Sequence, residues 1–266
     1  MPEPTGASAP VATPTVETPA TAEAPPATVE AEEESEPPLF GPLEPLPAMG
    51  ESELEAANAK NDAGYKAYKS GDLEGAVSAW TTGVETYPNH AMLRYNLAAG
   101  LAKAFGEQGA CGTTVMALKR DIISHLMVAA RDPERRKRMA QDSDFDKVRH
   151  LFALQRLQAG GTLGDEAARK ALAAEPLFAL GYGTINTTSV LELSEDGTAE
   201  TRYTSGGFFI YCGGDDSCPE GQPKKGTWTY TDGTVTLLID GKTQELSVSQ
   251  YGGVGGRVPW KTDCSA

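Results

Sequence analysis

The sequence is poor in the residues that do chemistry: of its 266 residues three are His, four Cys and three Trp. His90, His125 and His150 stand singly, without the Cys or His spacing that a zinc site requires. GxSxG, HExxH, a P-loop and a GxGxxG following a strand are all missing, so no motif unites a nucleophile, a base and an orienting group. No apolar run approaches the ~20 residues of a membrane span. Met1 is followed by neither a basic nor an apolar region, so no signal peptide is visible. These gaps predict a non-catalytic chain with no cofactor, no metal site and no transmembrane span.

Charge of one sign is also missing from one region. Residues 1–50 hold nine Glu but no Lys, Arg or Asp, so -9 of the total -14 lies there and the remainder carries -5 (28 acids against 23 bases). That stretch is rich in Pro, and its apolar residues are mostly Ala or Val without a period. It cannot bury enough surface to offset the entropy of ordering, and reads as a disordered tether. Fifty flexible residues reach roughly 40 Å root-mean-square. The run EAEEES, Glu30–Ser35, reads as a self-repelling, solubilising segment rather than a docking strip.

What is present begins at Ala57. Leu73, Val77, Trp80, Val84 and Tyr87 recur at +4, +3, +4 and +3, one face of a helix. Gly71 suits a left-handed helix end, Asp72 an N-cap and Pro88 a stop, while Gly64 and Ala76 are small where two antiparallel helices must approach. A second unit follows in phase, with Tyr95, Leu97, Ala98 and Leu101 on the next helix. Beyond Phe105 the pattern loosens. Thr113–Arg131 still reads as a helix, with Val115, Leu118, Ile122, Leu126 and Met127 on one face. DPERRKRMAQ and SDFDKVRHLFALQ then read as an irregular helical pair, with Pro133 near a first turn and Ser143 or Asp144 as cap.

The 34-residue span Ala57–His90 resembles the tetratricopeptide repeat, on Gly64, Gly71, Ala76, Trp80 and Pro88, with a second repeat begun at Ala91. The resemblance covers about residues 52–157. It implies stacked helical hairpins and a groove, walled by the first helix of each pair, that binds a segment of another protein. Carried over by position, the groove residues are Asn58, Asn61, Tyr65, Tyr68 and Lys69 from the first repeat. Met92, Tyr95, Ala99 and Lys103 come from the second. Aromatic rings supply contact area at low entropic cost, and amides pair with a peptide backbone. One subtype of the family clamps a C-terminal carboxylate with a Lys and two Asn. Asn96 matches one of those positions, whereas Asn61 and Tyr65 stand at the others, which argues against that clamp. RDPERRKR, Arg131–Arg138, is a short basic run in a chain of pI about 4.7 and reads as a solvated helix face, not a nucleic-acid site.

From about Leu177 the period changes to two, after a short helix in DEAARKALAAEP. Ala199, Thr201 and Tyr203 share a face, as do Trp228 and Tyr230, and Val235, Leu237 and Ile239. Asp196-Gly197, Asp232-Gly233 and Asp240-Gly241 separate the strands as tight hairpin turns. About six antiparallel strands are expected, and ten of the chain's 19 aromatics fall there, so Trp228, Tyr230 and Phe209 are expected to fill the interior. The pattern resembles small lipocalin-like β domains of bacterial envelope proteins. Cys212 and Cys218 bracket GGDDS and suit a local disulfide worth ~2 kcal/mol in the chain-entropy model. Cys111 and Cys264 are left without an assigned pairing. Asp215, Asp216 and Glu220 read as a surface loop rather than a calcium site.

The resulting expectation is an α+β chain of two modules: a tether at 1–50, a helical domain at 51–158, a linker with a short helix at 159–176 and an antiparallel meander or barrel at 177–266. Its expected function is a protein-interaction adaptor with an unidentified protein partner and no nucleic acid. The alternative is a carrier that holds a small apolar ligand in the β module. The tail resembles the spacer of bacterial envelope lipoproteins. Together with the cysteines it points to periplasm or envelope, with membrane tethering if a lipidated leader precedes Met1, and with cytoplasm as the alternative.

Overall fold

Two antiparallel helices open the fold, and the residues between them explain the turn. Gly71 holds φ +86°, where a Cβ is disfavoured, and it follows α1 (Glu51–Lys69). Asp72 then starts α2 (Leu73–Thr86), its carboxylate accepting from the Gly75 N–H at 2.8 Å. In α1 the acids Glu51 and Glu53 lie in the first turn and Lys66 and Lys69 in the last, which complements the helix dipole. The computed structural model describes residues 41–108, 113–179, 187–205 and 223–259, all inside a unit running from Pro37 to Ala266. Cys111, Cys212, Cys218 and Cys264 lie outside the described residues. So do Phe209, Asp215, Asp216 and Glu220.

Trp80 organises the first three helices. It is 2% exposed, its indole N–H donating to the Asn61 carbonyl at 3.2 Å. A Cβ at Gly64 would fall on the indole ring, and one at Gly100 would sit 3.1 Å from it. Small residues on α1 and on α3 (Ala91–Gln108) are therefore what lets both helices close on α2. Ala57, Ala76, Val84, Leu93 and Leu97 complete this core.

A second core begins on the far side of α3. There α4 (Thr113–Ala129) contributes Ile122, Ile123 and Leu126, which meet Tyr95, Ala98, Met139, Phe145 and Leu154. Pro133 is at the start of α5 (Pro133–Met139), and Asp132 caps it. Helix α5 is the first member of the irregular pair expected here, and the second is broken into a 3-10 turn and a later short helix. The cap is Asp142, not Ser143 or Asp144; its carboxylate accepts from the Asp144 N–H at 3.2 Å and opens only a 3-10 turn, Ser143–Phe145. Arg149 holds that turn by donating to the carbonyls of Met139, Ala140 and Asp142, at 3.0, 2.7 and 2.7 Å, and to the Asp146 carboxylate at 2.7 Å. Helix α6 (Phe152–Gln158) comes next.

Packing continues past both ends of the helical domain. Residues 41–50, assigned by composition to the tether, are packed: the Leu43 N–H donates to the Gly160 carbonyl at 3.1 Å, and Leu43 and Met49 rest on the two helical cores. The stretch 159–176 carries the expected short helix as α7 (Asp165–Leu172), and Ala168, Ala171 and Leu172 of that helix lie against the sheet.

Among the described residues the sheet is antiparallel and has seven strands, two of them very short, where about six were expected. They are β1 (Leu177–Ala179), β2 (Thr187–Leu193), β3 (Thr198–Ser205), β4 (Lys224–Thr231), β5 (Thr234–Ile239), β6 (Lys242–Ser247) and β7 (Val258–Pro259). Their order is β6-β5-β4-β3-β2-β1-β7. Asp232 and Gly233 have φ 49° and 80°, Asp240 and Gly241 φ 53° and 70°; two successive positive values give the tight turns whose twist matches the flanking strands. Trp228 lies opposite Leu237 and Tyr230 opposite Val235, all four buried. Single bridges, Val248 to Val254 and Val254 to Arg257, carry the pairing from the end of β6 to the segment that enters β7. Leu191, Leu193, Ala199, Leu246 and Phe152 of α6 add to the interior. Beside it, a cavity of about 10 Å³ lined by His150, Phe152, Leu172, Glu175 and Gly252 has room for one water. The fold is thus α+β, helices first and an antiparallel sheet second.

Candidate partner-binding wall

The nine residues expected to face a partner lie on α1 and α3, which run side by side. Contacts between them fix the register. The Asn96 amide donates to the Asn61 side-chain oxygen at 2.7 Å, the Asn61 amide reaches Met92 Sδ at 3.4 Å, and Lys103 Nζ donates to the Tyr68 hydroxyl at 3.2 Å. Asn61 is 5% exposed, and its amide is engaged on both sides. A peptide backbone therefore cannot pair with it without breaking that bridge, whereas Asn58, one turn earlier, is exposed.

The aromatic residues divide in the same way. Tyr65 is 46% exposed and stacks on Tyr68, with ring centroids 6.5 Å apart, and Tyr68 meets Trp80 at 5.9 Å. Lys103 lies 4.7 Å from the Tyr68 ring centre. Leu54 precedes Asn58 by four residues and is 43% exposed, so Leu54, Asn58 and Tyr65 share one face of α1. Lys69 is exposed at the end of that face.

At α3 the wall is closed by the chain itself. Tyr95 is 1% exposed, its hydroxyl donating to the Asp142 carboxylate at 2.7 Å, and Phe145 meets its ring edge-on at 5.5 Å. The guanidinium groups of Arg135 and Arg138 lie 6.0 and 5.6 Å from the same ring centre. Ala99 is buried as well. The Tyr68 hydroxyl donates to Asp144 at 2.8 Å, so the 3-10 turn bridges both helices. Burial and the neighbouring carboxylates push both phenols above their ordinary pKa. Of the nine residues, then, Asn58, Tyr65 and Lys69 are exposed; Tyr68, Met92 and Lys103 are part-buried; Asn61, Tyr95 and Ala99 are buried. Leu54 and the closing residues Asp142, Asp144 and Phe145 were not among the candidates. Leu54 could have been found from its spacing to Asn58, whereas the closing turn carries no periodic signal.

The histidines are structural in setting. His90 Nδ1 accepts from the Leu93 N–H at 3.2 Å and caps α3. His125 Nδ1 lies 2.9 Å from Arg94, and burial together with that charge lowers its pKa to about 4. In the basic run, Arg135 and Arg138 lie near Asp132 and Asp142, at 4.0 and 3.6 Å, and Arg136 donates to the Ala130 carbonyl at 3.2 Å. Among the described residues, no group of His, Cys, Asp and Glu could hold a metal ion, and no helix is long and apolar enough to cross a membrane. Comparison with protein-family models, curated proteins and solved structures yields no match to this chain.

Proposed function

We propose that this chain is a non-catalytic interaction module of the tetratricopeptide kind, which presents the open face of α1 to a segment of another protein. The observation that carries this reading is the exposed row Leu54, Asn58 and Tyr65, backed by the Tyr65–Tyr68–Trp80 ladder. An aromatic ring held by stacking against a rigid support loses little entropy when a partner covers it. An exposed amide about two turns away offers directional pairing to a peptide backbone. The partner surface is accordingly narrower than the nine-residue groove, because Asn61, Tyr95 and Ala99 serve the fold. The tail composition and the Cys212–Cys218 spacing support an envelope address.

The test is capture of native partners by the full chain and by the double variant Asn58→Ala, Tyr65→Ala. The expected result is loss of the captured protein with a melting temperature unchanged within about 2 °C, since neither side chain is buried. Undiminished capture by a normally folded double variant would remove the reading. A lipid retained in native mass spectrometry would instead favour the carrier.

A further inference from the structure

Where the helices meet the sheet, Glu175 stands two residues before β1 and is 8% exposed. Both of its carboxylate oxygens accept from Lys119 Nζ of α4 at 2.7 Å, and Lys119 is itself buried. Glu175 Oε1 also lies 2.7 Å from His150 Nε2, on the segment before α6. An ionised carboxylate only accepts, so Nε2 carries the hydrogen. One side chain therefore ties together α4, the entry to α6 and the entry to β1.

The surroundings are otherwise apolar. Leu151 and Phe152 of the α6 region, Ala171 and Leu172 of α7, Leu177 of β1, Pro259 of β7 and Gly252 line the adjoining cavity. Among the described residues, Lys119 and His150 are the charged or titratable groups that face Glu175 from these elements. His150 Nε2 donates to this carboxylate whether its ring is neutral or charged. Lys119 differs: a buried ammonium whose counter-charge is removed becomes costly to keep in place.

We propose that Glu175 is an acid-opened clasp between the helical layer and the sheet, released when its carboxylate takes up a proton and Lys119 is left uncompensated. Burial pushes this carboxyl up, but the hydrogen bond from His150 and the charge of Lys119 outweigh it and hold the group below the ordinary Glu value. A lowered carboxyl contributes fully above the ordinary value and loses its contribution as pH falls through the folded one. The clasp therefore stays shut from neutral pH down to the ordinary Glu value, 4.5, and opens only as pH falls below it through the lower folded value.

Hydrogen–deuterium exchange of the full chain at neutral pH tests this directly. In Glu175→Gln, which keeps the shape but removes the charge, exchange should rise at least about tenfold in peptides covering β1 and residues 148–152, with α1 and α2 unchanged. Adding Lys119→Met should restore the lost protection, because no buried charge then remains unpaired. An unchanged profile in Glu175→Gln, or an equal rise across α1, α2 and β1, overturns the proposal. Should Glu175→Gln fail to fold, the native chain is compared at pH 7 and at successive steps below pH 4.5, after correction for intrinsic exchange. Opening confined to the same peptides supports the clasp, and uniform opening contradicts it.

Discussion

Tyr65 and Tyr95 occupy adjacent helices of one repeating pattern, yet one is 46% exposed and the other 1%. The difference lies in the segment packed against each helix. Nothing among the described residues covers the Leu54–Tyr65 face of α1, whereas α3 is met by the turn Ser143–Phe145, which brings a carboxylate to the Tyr95 hydroxyl and a ring to its edge. A periodic pattern can therefore say which side chains point to the inner wall. Whether that wall is a surface or an interior depends on a segment 47 residues away. The same side chain stays open to solvent in one place and serves cohesion in the other.

The largest expected effect comes from cutting away the buried member of the pair. Tyr95→Ala should cost about 3–5 kcal/mol, as large aromatic truncations in cores do, and chemical denaturation would measure it. A loss below ~1 kcal/mol would mean that the turn does not seal the wall. Next comes Asp142→Ala, which removes both the acceptor for the Tyr95 hydroxyl and the cap of the 3-10 turn. It should cost about 1–3 kcal/mol, and the new exposure should appear as quenching of Tyr95 fluorescence by added iodide in a variant lacking the other Tyr residues.

A smaller, pH-dependent effect lies where His125 of α4 meets Arg94 of α3. With its pKa lowered to about 4, His125 binds its proton less readily folded than unfolded. Stability must therefore fall as pH drops from the ordinary histidine value, 6.5, towards the folded value. A His125→Gln variant should show a flatter profile over that window, and an NMR titration should place the ring's midpoint near 4. The smallest effect on stability belongs to Tyr65→Ala, within about 0.5 kcal/mol, since the side chain is half in solvent.

Much of this arrangement was legible in the residues. Gly71-Asp72 announced the first turn because only a few residue types satisfy a left-handed helix end and a following cap, and Gly64 announced the close approach to Trp80. The three Asp-Gly pairs marked their hairpins for a similar steric reason. Leu43 and Met49 were hidden because isolated apolar residues among prolines have no period, although each finds a core to rest on. Helix α7 was visible, but its role was not: Ala168, Ala171 and Leu172 are spaced to face one way, and the sequence does not say that the sheet lies there. On the candidate wall, Tyr65 and Asn58, both exposed there, were legible as residues of one face of α1. The closure over Tyr95 was not, since Asp142 and Phe145 belong to a three-residue turn and its cap, too short to carry a repeat.

The central claim is that the α1 face, and not the α3 face, meets a partner. A photo-crosslinking amino acid placed at residue 65 in living cells, with a second placed at exposed Ser78 on α2 as control, tests it most directly. The account predicts one dominant protein adduct from position 65 and none from position 78. Equal labelling from both positions, or no adduct from position 65 in a folded chain, would contradict it.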